Sequence, residues 1–192
     1  MASRGAVARR AAGALLLLAA ALALLVVGAA RPALAASAAE LDRESAAALD
    51  LLYRQQPSAR VLGKQARAIL VFPSMVKAGF LFGGQIGEGV LRKGGRIAGY
   101  YNSVAASYGL QAGVQTCSYA LFFMTDEALR QLDATYGFEL GVGPSVVVVD
   151  QGVARSITSN TLTSDVYAYV WGQKGLMAGV GIQGSKITRI DK

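Results

Sequence analysis

The spacing of apolar residues changes character three times along the chain. Ala11–Ala30 is an unbroken apolar run. Leu41, Ala48, Leu49, Leu52 and Tyr53 then recur at helical spacing, with Asp42, Arg43, Glu44 and Arg54 elsewhere on the wheel. Ser37 and Glu40 have capping-box spacing, and Pro57 restricts the residue before it, so a helix is predicted over Ala38–Gln55. Ser58–Gln65 reads as a short second helix. Beyond it the apolar runs take strand length: Ala68–Phe72 closed by Pro73, Ile97–Val104, Leu110–Met124, Val153–Thr163, Val166–Trp171, Leu176–Gln183 and Ser185–Ile190. Tyr119–Met124 and Val146–Val149 are apolar at every position, which predicts strands buried on both faces. Lys93-Gly94-Gly95-Arg96 has the glycine pair of a tight hairpin, and Asp150-Gln151-Gly152 and Gln173-Lys174-Gly175 read as further turns. Thr125 caps an inserted helix over Asp126–Ala134, with acids in its first turn facing the helix dipole. These elements predict an α+β domain. Its β-rich part has seven to nine mostly antiparallel strands, with two N-terminal helices and one inserted helix.

One stretch fits neither period. Phe72–Leu91 holds five Gly, one Pro, one Lys and one Glu among apolar residues. It is too Gly-rich for a helix, where each interior Gly costs about 1 kcal/mol against Ala. It is too apolar for a free loop. A strand whose glycines admit a close neighbour or a kink is predicted, the neighbour being another part of the fold or a ligand.

The N-terminal run changes how charge is read. Arg4, Arg9 and Arg10 precede it, Arg31-Pro32 ends it, and Ala33-Leu34-Ala35 and Ala36-Ser37-Ala38 offer small-x-small sites. That is the pattern of a signal peptide over residues 1–35, with a mature domain over 36–192. An uncleaved anchor is the alternative, since the run is long enough to span a bilayer. Arg9-Arg10 leaves the twin-arginine route open beside the Sec route. The formal charge of +7 includes four Arg of this leader, so the remainder is only weakly basic and makes no case for nucleic acid. The expected location is periplasmic or secreted, in association with a membrane. Cys117 is the single cysteine, so no intrachain disulfide exists, and its apolar setting suits a small buried hydrophobe.

The chain has no histidine, which removes Ser-His-Asp and Cys-His nucleophiles and imidazole metal sites together. Its acids are scattered. No catalytic residue, metal site or cofactor is expected. Gly179-Val-Gly181-Ile-Gln-Gly184 matches a dinucleotide fingerprint in letters alone, because the residues after it read as strand and not helix. Lys77 is the only charged residue between Arg67 and Glu88. It either snorkels from a strand end or holds an ammonium where a phosphate or carboxylate can reach it. Arg92, Lys93 and Arg96 gather at one glycine turn and Lys174 lies on another, either as solvated tips or as a basic patch sharing one edge.

Several ordered blocks now carry a resemblance. They are Ala68-Ile-Leu-Val-Phe-Pro73, Lys77-Ala-Gly79-Phe, Gly83-Gly84-x-x-Gly87-x-Gly89-Val-Leu, Gly109-Leu-Gln-Ala-Gly113-Val-Gln, Gly143-Pro144 and Lys174-Gly-Leu-Met-Ala-Gly179-Val-Gly-Ile-Gln-Gly184. Residues 60–190 resemble the SYLF family of lipid-binding domains, and the leader resembles its exported bacterial branch. The chain departs from that pattern at Ser103-Val-Ala, where the family often has Ser-x-Pro. The resemblance implies non-catalytic binding of membrane lipids, phosphoinositides in eukaryotic members and another anionic phospholipid in a bacterial periplasm. The actin-binding and SH3 segments of some members are not expected here. The lipid-binding residues nominated on this basis are Lys77, Arg92, Lys93, Arg96 and Lys174, with envelope proteins as possible further partners. A structural or protein-interaction module of the envelope and a small outer-membrane β-barrel remain the alternatives.

Overall fold

The computed structural model describes residues 36–79, 82–108, 111–134, 138–139, 145–149, 157, 162–179 and 182–192. The predicted leader over 1–35 lies outside them, as do the Asp150–Gly152 turn and most of the Val153–Thr163 strand. Ser37–Lys192 forms one compact unit, and every residue of both core clusters belongs to it, so it carries its own core.

Helix α1 spans Ala38–Gln55 as predicted, and its N-cap Ser37 Oγ accepts the Glu40 N–H at 3.3 Å. Helix α2, Pro57–Gln65, starts on the proline itself, because the first helical position needs no N–H. The strands are β1 (Ala68–Gly79), β2 (Phe82–Lys93), β3 (Arg96–Tyr108), β4 (Gln111–Phe123), β5 (Phe138–Glu139), β6 (Val146–Val148), β7 (Val166–Gly179) and β8 (Ile182–Ile190). Helix α3, Asp126–Leu132, follows β4, and the Thr125 hydroxyl accepts the Ala128 N–H at 3.2 Å. The strands make one curled eight-stranded sheet in the order β5-β8-β3-β2-β1-β4-β7-β6. Only the β6–β7 pair among them is parallel. The α+β, mostly antiparallel expectation holds.

Three local expectations are corrected. First, Phe72–Leu91 is not one kinked strand but two long ones, β1 and β2, paired from Ile69↔Arg92 to Gly79↔Gly83. Pro73 does not close β1; it sits at a β-bulge, where its missing N–H is tolerated, and the Ser118 hydroxyl donates to its carbonyl at 2.8 Å. Second, Gln173-Lys174-Gly175 is no turn. β7 runs through it, with an extra residue near Gly172 and Gly175, whose φ of +65° and +98° only glycine adopts readily. Third, Val146–Val149 is not buried on both faces. β6 is the edge strand beside β7, and Val148 is left 62% exposed. The hairpin at Gly94-Gly95 is present, both glycines having positive φ.

The sheet has an inner and an outer face, and the core is split between them. Leu70, Phe72, Leu121 and Phe123 point inward against Ala128 and Leu132 of α3. Ile69, Val71, Phe122 and Tyr169 point outward against Leu52 of α1 and Ala59 and Leu62 of α2. Ring contacts bind each layer: Phe72 stacks on Tyr119 at 5.9 Å inside, and Phe122 meets Tyr169 edge-on at 5.6 Å outside. The buried Tyr169 hydroxyl is satisfied by Ser58 Oγ at 2.7 Å. Both layers lie at one end of the strands, the end where β1 begins and β4 finishes. The question raised by the glycines of Phe72–Leu91 is answered there. A Cβ on Gly89 would sit 2.6 Å from the Phe72 ring, and one on Gly87 would collide with Met75 and the Ser74 carbonyl. What approaches these glycines is the fold itself.

Candidate functional site: a cleft around Lys77

Past the bulge, β1 alternates strictly. Met75 and Lys77 face inward, Val76 and Ala78 outward. Lys77 pairs with Gln85 on β2 and Gln115 on β4; Gln85 pairs with Ala105, and Ala105 with Ser185 on β8. Directly paired residues share a face, so five strands set one row across the inner surface with the ammonium side chain between Gln85 and Gln115. The adjacent row holds Ser103, Gly87, Met75 and Cys117. These rows line a cavity of about 250 Å³. Its polar wall is Lys77, Gln85, Gln115, Gln173, Ser103 and Ser185, and its floor is Met75, Cys117 and Tyr119. Glycine makes the room: Gly79, Gly83 and Gly113 pair with one another beside Lys77 and project no side chain into the cleft.

The electrostatics of the cleft are one-signed. Among the described residues, Lys77 is the only charged one lining it, and no carboxylate does so. Burial pushes the Cys117 thiol above its ordinary range, while the nearby Lys77 charge pulls the other way. Burial likewise raises the Tyr119 phenol. Both stay neutral at physiological pH, so the described residues of the cleft offer one cation, amide and hydroxyl hydrogen-bonding groups, and no anion. Its chemistry suits an anionic group small enough for a cavity below the roughly 300–1,000 Å³ of pockets that enclose drug-sized ligands. No cluster of three or more metal-binding side chains occurs among the described residues.

The other nominated basic residues are spread over the molecule. Arg92 donates to the Asp42 carbonyl at 2.9 Å and to Ser45 Oγ at 3.1 Å, tying β2 to α1. Lys93 and Arg96 pair across the exposed Gly94-Gly95 hairpin, at the opposite end of β2 from Gln85. Lys174 is exposed and lies within β7, paired with Thr116, on the outer face. A shared basic edge is therefore not formed, because β7 passes through the expected turn. The sequence reading singled out Lys77 but missed Gln85, Gln115, Ser103 and Ser185. The available signal was a polar residue at alternate positions in otherwise apolar or glycine strands, as in Gly84-Gln85-Ile86 and Val114-Gln115.

Residues 104–192 match the family described as "Ysc84: Las17-binding protein actin regulator". The chain is also 32% identical over 132 residues to Protein YSC84 of Saccharomyces cerevisiae, an alignment covering 65% of this chain and 28% of the yeast protein. The family match begins within β3, so it includes Ala105, Gln115, Cys117, Gln173 and Ser185 of the cleft and stops short of Lys77. Residues 104–192 are thus similar to the Ysc84 family, in line with the SYLF motifs that the sequence resembles, and the chain spans less than a third of the length of the yeast relative.

Proposed function

We propose that residues 36–192, exported under the direction of residues 1–35, form a non-enzymatic module that binds anionic phospholipid head groups at a membrane surface of the periplasm. The observation that carries this reading is Lys77, held on the inner face among glutamines, serines and glycines in a cleft lined by no acid among the described residues. A phosphate there meets an ammonium and neutral hydrogen-bonding groups with little competing charge. The covered end argues against a membrane-spanning barrel, because α1 and α2 occupy the outer surface that lipid would need.

The test is co-sedimentation of residues 37–192 with vesicles of phosphatidylglycerol and phosphatidylcholine, against phosphatidylcholine alone. This unit avoids the Ala11–Ala30 run, which would bind any bilayer. Binding is expected only with phosphatidylglycerol, and Lys77→Ala is expected to weaken it about tenfold, from the loss of one charge-assisted contact. Equal or negligible binding to both vesicles, or an unchanged Lys77→Ala variant, overturns the reading. Protein docking is the second reading, favoured by the family's description as a Las17-binding actin regulator. It predicts a protein partner that binds at the same cleft in the absence of lipid.

A further inference from the structure

The side chains around Lys77 hold hydrogen-bonding capacity that the fold leaves unused. Ser103 is only 3% exposed, yet its hydroxyl, on the cavity wall, makes no hydrogen bond among the described residues. Buried hydroxyls in folded proteins almost always have a partner, so this one is placed for a group that comes from outside. Gln115, Gln173 and Ser185, on the same wall, likewise bond to no described neighbour through their side chains. Against these neutral groups stands one cation. Lys174 and Lys186 do not add to it, because they stand on the outer face, in the row of the exposed Val76, Ile86 and Val104. Among the described residues the cavity also lacks what a positively charged ligand group would need. No carboxylate lines it, and its one aromatic side chain, Tyr119, is stacked on Phe72.

We infer that the cleft selects a phosphodiester monoanion whose free arm is an uncharged polyol, the chemistry of a glycerophosphoglycerol unit. The inference rests on the head-group reading above and names the class of head group. One ammonium matches one negative charge. A phosphomonoester carries nearly two at neutral pH, and the second would enter a partly buried space with no cation to receive it. An ethanolamine or choline arm carries a positive charge, which would lie near Lys77 with neither a carboxylate nor an aromatic cage around it. A glycerol arm brings hydroxyls, which both donate and accept. They match the Ser103 and Ser185 hydroxyls and the Gln115 and Gln173 amides, groups that also do both. The wrong arm is rejected because it is left unpaired.

The test is calorimetric titration of residues 37–192 with soluble glycerophosphoglycerol, glycerophosphoethanolamine, glycerophosphocholine and glycerol phosphate. A second arm uses phosphatidylcholine vesicles doped with phosphatidylglycerol, phosphatidylethanolamine or phosphatidic acid. The glycerol diester is expected to bind about tenfold or more tightly than each of the others. Ser103→Ala is expected to weaken it about threefold and to leave the ethanolamine diester unmoved. Gln115→Glu sets a carboxylate at the position paired with Lys77 and is expected to reverse the order of the glycerol and ethanolamine diesters. Circular dichroism checks that both variants fold, and the order shown by the parent protein decides the matter where a variant does not. The expected order with soluble probes makes the free molecule a ligand in its own right; the same order with vesicles alone makes the ligand a head group in place, and either supports the inference. Equal binding of the glycerol and ethanolamine diesters, tighter binding of glycerol phosphate, or an unchanged order in folded Gln115→Glu overturns it and leaves head-group binding standing. If neither arm shows binding, both readings fall.

Discussion

The two ends of the sheet are built from the same strands and solve opposite problems. At the end where β1 begins, both faces are apolar and both are covered, α3 lying inside and α1 with α2 outside. At the far end the inner face turns polar and glycine-rich around Lys77, while the outer face stays apolar and open. Hydrophobicity along a strand therefore does not tell the two apart. What separates them is which face keeps its apolar residues once the helices stop. The covered end holds the buried core, and the open end keeps an exposed apolar face and a polar cleft.

The largest effect that would break this contrast lies in the core. Phe122→Ala, at a fully buried site of the outer layer, is expected to cost about 3–5 kcal/mol in denaturant unfolding. Ile86→Ala, on the open patch, is expected to stay within about 0.5 kcal/mol. Similar losses from the two would mean that the open face is core after all. A smaller effect separates the two faces within β2. Gly89→Ala drives a methyl group into the Phe72 ring and is expected to cost about 1–3 kcal/mol. Gly84→Ala meets nothing closer than the Ala105 carbonyl at 3.7 Å and should be nearly silent in the same melt.

The smallest effect concerns the edge of the covered end. The Asp165 carboxylate accepts the Ser145 N–H at 3.0 Å and its hydroxyl at 2.9 Å, with Thr125 Oγ1 at 3.3 Å, joining the starts of β6, β7 and α3. These bonds, the Ser145 N–H first, hold its pKa below the ordinary 3.8. A depressed folded value means that the stabilisation is present above that pH and is lost as pH falls through the depressed value. Thermal melts below about pH 4 should therefore lose stability less steeply in Asp165→Asn than in the parent. Parallel curves would show that this junction contributes nothing to the covered end.

Much of the covered end was legible in sequence. Ser37, Pro57 and Thr125 mark helix starts by local capping, and Gly94-Gly95 marks a hairpin by positive φ, all of which are properties of neighbouring residues. The open end was less so. Pro73 and Gln173–Gly175 look like stops because isolated rules treat them as such, whereas a β-bulge absorbs both, and bulges are set by partners distant in sequence. The cleft shows the same limit. Lys77 stood out as a lone charge, but Gln85, Gln115 and Ser185 become its neighbours only through the register of four other strands. Val146–Val149 misled because four valines specify a strand without saying whether a neighbour covers it.

The bulge at Pro73-Ser74 works as a phase switch. Phe72 faces inward, and in an unbroken strand the inward positions after it would be Ser74, Val76 and Ala78. The one surplus residue reverses that parity, so Met75 and Lys77 take the inside and Val76 the outside. Without it the lone cation would stand among the exposed valines, and a valine would fill the cleft. Which side chains β1 sends into the cleft is thus written in a single count, the number of residues between Phe72 and Lys77. A one-residue deletion there would swap the faces of β1 beyond Phe72, exchanging Lys77 for Val76 in the cleft without changing either side chain.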